Sequence, residues 1–475
     1  MFIGKDLELS RRAFIQRSSQ LAAMGAASSY ALGLAGIGEA AAFSAGSDYK
    51  ALVCVFLYGG NDYGNTLIPF DAANYARYAA IRGGTGEAGG GIALPRASLA
   101  NTVLTPRGGQ TLTDDITYAI APTMPMLKRR FDEGVMAPML NVGPLVAPMT
   151  RAQYDSGSVP RPPKLFSHND QQSTWQSSQP EGSTTGWGGR MGDLAQSANT
   201  NAMFTAINAT GNAVFLSGRN AVPYQVSASG ATLFNPLRRN RLYNSSAAAS
   251  ALDTILRAGA GNYFAADHAH INARSIEYGT FVNNALASAN LATTFPANNG
   301  LAGQLQTVAR MIASRQALGV RRQVFMVSMG GYDNHDGLIG QHEGLLGAVD
   351  AALDAFYRAT VEMGIADKVT TFTASDFGRT LSSNGDGSDH GWGSFHFVLG
   401  GDVDGGRFYG RAPSVSVNTP DQVGQGRLLP TTSVDEYSAT FARWFGVSTP
   451  ELPTIAPNIG RFATSDVGFM KRPPA

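Results

Sequence analysis

The chain has 475 residues, of which 43% are hydrophobic and only 15% charged, with 56 glycines and one cysteine. That much hydrophobicity beside a net charge of +1 excludes a disordered chain, and it leaves no basic surplus for holding nucleic acid by its phosphates. The single cysteine, Cys54, excludes an intramolecular disulfide and a cysteine-rich zinc ribbon.

Residues 1–45 read as an address. Ser10-Arg11-Arg12-Ala13-Phe14-Ile15-Gln16 is a basic opening, an Ala/Gly/Leu-rich run follows from Leu21 to Ile37, and Ala40-Ala41-Ala42 offers a small-residue exit. The adjacent arginines resemble a twin-arginine signal, which implies the twin-arginine export machinery as a partner and a periplasmic or secreted destination. Ser28, Ser29 and several glycines interrupt the apolar run and weigh against a stable membrane span. Removing residues 1–42 takes away four basic and three acidic residues, so the remaining chain is formally neutral.

Ala51–Leu57 is a continuous apolar, β-branched run that ends at Gly59-Gly60, the pattern of a buried parallel strand followed by a loop. Met136–Val142 reads as a second strand and Met203–Ile207 as a weaker third. Leu301–Leu318 has helical spacing and leads into a strand at Gln323–Met329. Leu345–Met363 is a helix, Val369–Ala374 and Phe395–Leu399 are strands, and Val434–Phe445 is a final helix. Alternating strands and helices predict an α/β fold, a mostly parallel sheet sandwiched between helices. Residues 46–475 read as one domain, with an Ala/Asn/Ser-rich insertion or cap around residues 208–300.

Acidic residues and histidines gather just after the predicted strands, where open α/β sheets bind ligands. The first strand runs into Asn61-Asp62. The Gln323–Met329 strand runs into Asp333, Asn334, His335 and Asp336, where His335 and Asp336 compete for one inward direction. The Val369–Ala374 strand runs into Asp376-Phe377-Gly378-Arg379, and Asp389-His390 precede the next strand. Carboxylates and imidazoles without cysteine suit an oxygen-and-nitrogen metal site of one or two divalent ions, zinc, manganese or calcium. Taken singly, Asp376 is as well explained by helix capping and each histidine by a structural role. His396, six residues beyond His390, is expected behind the ligands, as are Asn61 and Asp389.

Leu57–Asn65, Phe166–Trp175, Gly330–Asp336, Ser375–Gly406 and Thr431–Gly446 resemble the bacterial, twin-arginine-exported domain-of-unknown-function family 1501. That family is itself similar to the alkaline phosphatase and sulfatase superfamily. The resemblance implies an alkaline-phosphatase-like fold with metal ligands at Asp62, Asp333, His335, Asp376 and His390. It implies Ser167 as the nucleophile, with His168 as a general acid or extra ligand, and Arg379 holding the oxygens of a small anionic ester. Phe377 departs from the pattern, because the superfamily places a second metal ligand there. The activity so implied is metal-dependent hydrolysis of phosphate or sulfate esters. The alternative is a non-catalytic member of the fold that binds a glycan or a protein partner.

Overall fold

In the computed structural model, residues 43, 46, 48–85, 91–211, 213–227, 230–231, 235–258 and 263–471 are described. The segment read as an export signal lies outside the described residues, Phe43 excepted. The strands are β1 (Lys50–Leu57), β2 (Leu67–Pro69), β3 (Tyr118–Ile120), β4 (Met136–Gly143), β5 (Ala206–Asn208), β6 (Tyr224–Gln225), β7 (Arg322–Met329), β8 (Val369–Ser375), β9 (Ser394–Gly400) and β10 (Thr432–Ser433). The helices are α1 (Ala72–Ile81), α2 (Pro125–Asp132), α3 (Arg151–Ser156), α4 (His168–Ser177), α5 (Trp187–Ala195), α6 (Asn235–Arg238), α7 (Ser246–Arg257), α8 (Tyr263–Ser288), α9 (Gly300–Ala313), α10 (Leu338–Glu362), α11 (Val434–Phe445) and α12 (Leu452–Ile455).

Eight strands form one sheet in the order β10-β4-β9-β8-β1-β7-β5-β6. Neighbours run parallel except at β9, which is antiparallel to both β4 and β8. The central strand β1 shows why its sequence is apolar without alternation. Ala51, Val53, Val55 and Leu57 enter one core with α8, α9 and α10, while Leu52, Cys54 and Phe56 enter the other with α4, α5, α11 and α12. Each large apolar side chain so buried contributes about 1.5–3 kcal/mol. The sheet is covered on both faces, as the strand pattern predicts.

Three of the differences from the sequence reading have a plain physical reason. Helix α10 begins seven residues earlier than its apolar period suggests, because the polar His342 fills the buried position between Leu338 and Leu346 on one helix face. Of the weak third strand only Ala206 and Ile207 pair, with Asn208 beyond it, and Ala202–Phe204 forms a 3₁₀ turn before them. The strand at Phe395–Leu399 is present but reversed, since it returns from the long loop after β8 and not through a helical crossover. Within residues 208–300, β6 extends the sheet edge and α8 lays Val282, Ala285 and Leu286 into the first core. Among the described residues no helix is long and apolar enough to cross a membrane.

His396 lies on β9 and points into the second core, where its ring packs 4.9 Å from Trp175 and 6.5 Å from Tyr437. Its Nδ1 meets Thr373 Oγ1 at 3.5 Å, and its Nε2 has no partner. Burial therefore drives its pKa down to about 3. The folded protein keeps this ring neutral while the unfolded chain protonates below about pH 6.5, so its stabilising contribution is complete above that pH and is lost as the pH falls toward 3. His396→Leu should remove about 2 kcal/mol of the stability difference between pH 7 and pH 5. Urea unfolding of both proteins at the two pH values measures it, and an unchanged difference refutes the assignment.

Candidate functional site

The site is assembled at the carboxyl ends of β1, β7 and β8, with the first turn of α4 above them. Gly59 and Gly60 let the chain leave β1 sharply, at φ +115° and +86°. A Cβ on Gly59 would lie 2.5 Å from the amide nitrogen of Asp333, and one on Gly60 would lie 2.5 Å from the Phe377 ring. Only glycine permits these loops to touch.

Asp333 is the focus. Its Oδ1 lies 3.1 Å from His335 Nε2 and 3.2 Å from His390 Nε2, and its Oδ2 lies 3.4 Å from His168 Nε2. The ligand-type atoms of His168, Asp333 and His390 all fall within 4.8 Å of one another. His335 Nε2 is 2.9 Å from His390 Nε2. The opposite ring nitrogens decide what these atoms carry. His168 Nδ1 donates to Asp376 Oδ2 at 2.6 Å, His390 Nδ1 to the Phe166 carbonyl at 2.7 Å, and His335 Nδ1 to Asp389 Oδ1 at 3.3 Å. Carbonyls and carboxylates cannot donate, so each Nδ1 holds the proton and each neutral ring turns an Nε2 lone pair toward Asp333. Three lone pairs and a carboxylate facing one another repel unless a cation or a proton sits among them. The same arrangement, with the far nitrogen tied to a carbonyl or carboxylate, is how proteins orient metal-binding histidines.

Charge and burial set the titration of these groups. The hydrogen bond to Asp376 raises the His168 pKa against the opposing effect of burial. Burial lowers that of His390. For Asp333 burial acts upward, but the hydrogen bond and charge of Arg379, with the nearby His168 and His335, outweigh it and hold the carboxyl below its ordinary value. Asp376 Oδ2 also accepts from Gln172 Nε2 and from the Gly59 amide, while its buried Oδ1 has no partner.

Other expected residues occupy different places. Asp62 stands outside this group. Its Oδ1 accepts from the Asn65 amide, and its Oδ2 from Arg82 at 3.0 Å and Ser388 Oγ at 2.9 Å, all buried. Arg379 does not present a free guanidinium. It spends its donors on Asp333, on the Gly59 carbonyl and on Ser388, so it fixes Asp333 from behind. Ser167 is the N-cap of α4, but its Oγ donates to Asp170 Oδ2 at 2.8 Å and reaches none of the clustered atoms. Phe377 is buried, with its ring 4.9 Å from His168 and 4.7 Å from His390. Asn61 accepts from His342 Nε2 and donates its amide to Ser375 Oγ, behind the site. His396 contacts no residue of the cluster, because the segment joining it to His390 is not a continuous strand. Gln172 was missed in the sequence, although its place four residues from His168, on the same helical face, could have marked it. The Phe166 carbonyl had no sequence signal, since a main-chain oxygen is the same at every position.

Residues 49–451 match the family described as Protein of unknown function (DUF1501). The chain belongs to that family. Among curated proteins there is no match. Solved structures to which the chain is similar include the lipoteichoic acid synthase LtaP from Listeria monocytogenes, at 9% identity and TM-score 0.31 over 86% of this chain and 74% of that one. Another is Ps i-CgsB, solved with k-i-k-neocarrahexaose, at 12% identity and TM-score 0.34 over 87% and 77%. A third comes from a Bacteroides thetaiotaomicron locus for the metabolism of multiple glycosaminoglycans, at 9% identity and TM-score 0.33 over 84% and 73%. Likenesses of this size carry no functional argument; the residues of the site do.

The buried Asp62–Arg82 pair yields a test of its structural role. Asp62→Asn leaves the Arg82 guanidinium buried without its counter-charge, and stability should fall by about 3–5 kcal/mol in urea unfolding. A metal content lowered with unchanged stability would instead place Asp62 among the ligands.

Proposed function

We propose that this DUF1501 protein is an exported, metal-dependent hydrolase of phosphate or sulfate esters. The observation that carries the reading is the convergence of three Nε2 lone pairs, from His168, His335 and His390, on the Asp333 carboxylate. His168, Asp333 and His390 would hold a divalent ion, with His335 at their side. A nitrogen-rich donor set favours zinc over calcium, which takes oxygen ligands, with manganese between them. Phe377 fills the volume where a second ligand group would stand, which favours one ion over two. When bound, such an ion polarises an ester oxygen and lowers the pKa of an attacking hydroxyl or water.

The chain's own residues supply orientation. Arg379 keeps Asp333 ionised and aimed, and Asp376 and Gln172 fix the His168 side of α4. The first turn of α4 presents amides with no intrahelical partner, an environment that favours an anion. Ser167 stands at the N-cap position of that turn without a side-chain capping bond, and service as a nucleophile requires its Oγ to leave Asp170. The cluster is open to solvent, since the Asp333 side chain is 46% exposed and that of His335 39%.

The purified protein, loaded with zinc or manganese, is to be assayed for metal by mass spectrometry and for turnover of phosphate and sulfate monoesters. His168→Ala should lower metal affinity about 10–100-fold or more and abolish turnover with it. Turnover that persists without metal in this variant refutes the reading. The proposed export rests on Ser10-Arg11-Arg12. Arg11→Lys combined with Arg12→Lys should retain the precursor in the cytoplasm on cell fractionation, and normal arrival in the periplasm refutes that part alone.

A further inference from the structure

We infer that Arg427, stacked on Phe166 beside His390, forms a second anion subsite, and that the substrate carries a further sulfate or phosphate group besides the ester cleaved. The inference deepens the hydrolase reading and rests on it for the word substrate. The subsite itself rests on separate observations.

The first is how Arg427 is held. Its Nε donates to the His390 carbonyl at 2.7 Å, and its guanidinium lies 5.0 Å over the centroid of the Phe166 ring. These contacts fix the plane of the fork and leave both terminal amino groups without a protein partner among the described residues. Asp389 is the acidic group whose charge reaches it, but that carboxylate serves His335 and Asn384. The other sequestered arginines are spent differently. Arg82, Arg130, Arg322 and Arg379 each pair with a carboxylate, and Arg190 spends its guanidinium on the Thr185, Ser177 and Ile455 carbonyls. Partial burial of a cation without a counter-charge is costly, and a bound anion offsets that cost. A planar guanidinium resting on an aromatic face, with its Nη groups free, is suited to bidentate recognition of sulfate or phosphate.

The second observation is strain. Phe166 adopts φ +73°, a conformation rare for a bulky residue. That conformation serves two contacts at once: the Phe166 carbonyl accepts from His390 Nδ1, and the ring supports Arg427. A strained backbone persists where its surroundings over-determine it, and such positions cluster at ligand clamps. Here one residue links the His390 imidazole to the Arg427 guanidinium. The third observation is that the ledge continues. Arg161 stacks 4.4 Å over Tyr154, whose ring lies 6.0 Å from Trp392, and Tyr154, Phe166 and Trp392 belong to one small apolar cluster. No described hydrogen bond or ion pair engages Arg161.

Calorimetric titration of the full, zinc-loaded protein with sucrose octasulfate and with inorganic sulfate tests the subsite. Arg427→Gln should weaken octasulfate binding about tenfold, as loss of a charge-assisted hydrogen bond does, weaken sulfate binding in the same direction, and leave zinc stoichiometry unchanged. Phe166→Leu keeps the carbonyl on His390 and removes the ring, so it should weaken octasulfate binding in the same direction with zinc retained. Arg274→Gln, an exposed cation on α8, controls for general charge and should have no effect. Octasulfate affinity that is unchanged in both Arg427→Gln and Phe166→Leu, or reduced equally by Arg274→Gln, overturns the subsite. Failure of the wild-type protein to bind zinc overturns the metal reading instead, and the same octasulfate comparison on metal-free protein still decides the subsite.

Discussion

The buried guanidinium of Arg379 is the contact on which the site depends. It binds the Gly59 carbonyl after β1, the Asp333 carboxylate after β7 and Ser388 in the loop between β8 and β9. Ser388 passes the connection to Asp62, and Asp62 to Arg82. Three loops far apart in sequence are thereby tied at one point by charge-assisted hydrogen bonds. Taking two such cations out of water is expensive, and it is sustained because each has a carboxylate within 3.0 Å. The Asp333 carboxylate, held from behind by Arg379, turns its remaining face to the histidines.

The histidines depend on that frame in turn. Their Nδ1 protons are committed to Asp376, Asp389 and the Phe166 carbonyl, so the direction of each Nε2 lone pair follows from loop geometry and not from rotamer choice. The glycines at 59 and 60 make the frame possible, because the Asp333 backbone and the Phe377 ring occupy the space a side chain would need. Packing, backbone conformation and site chemistry are in this way one constraint. A change at any of the three reaches Asp333.

The extent of the site also follows from the fold. Helix α4 belongs to the second core through Trp175, yet its first residue, His168, reaches over the sheet edge to Asp376. The loop before α4 brings Phe166 to His390, and Arg427 donates to the His390 carbonyl. The open side of the cluster carries the stacked Arg427 next to the half-exposed carboxylates of Asp333 and Asp389.

The sequence by itself determined the strands and the positions of the polar clusters at their ends. Apolar, β-branched runs such as Ala51–Leu57 have no stable place except between two covering layers, and a loop rich in Asp, His and Gly must follow where such a strand leaves the core. Asp333, His335 and His390 were legible on those grounds, and His168 as a reserve to Ser167. Tertiary structure alone decided which partners each group received. Asp62 met Arg82 and Ser388, Arg379 turned inward to Asp333, and Ser167 bonded Asp170 while its neighbour His168 reached the cluster. Spacing along a strand or helix fixes direction over a few residues, but an ion pair between residues 62 and 82, or a carbonyl at 166 meeting an imidazole at 390, depends on loop paths that have no period to read.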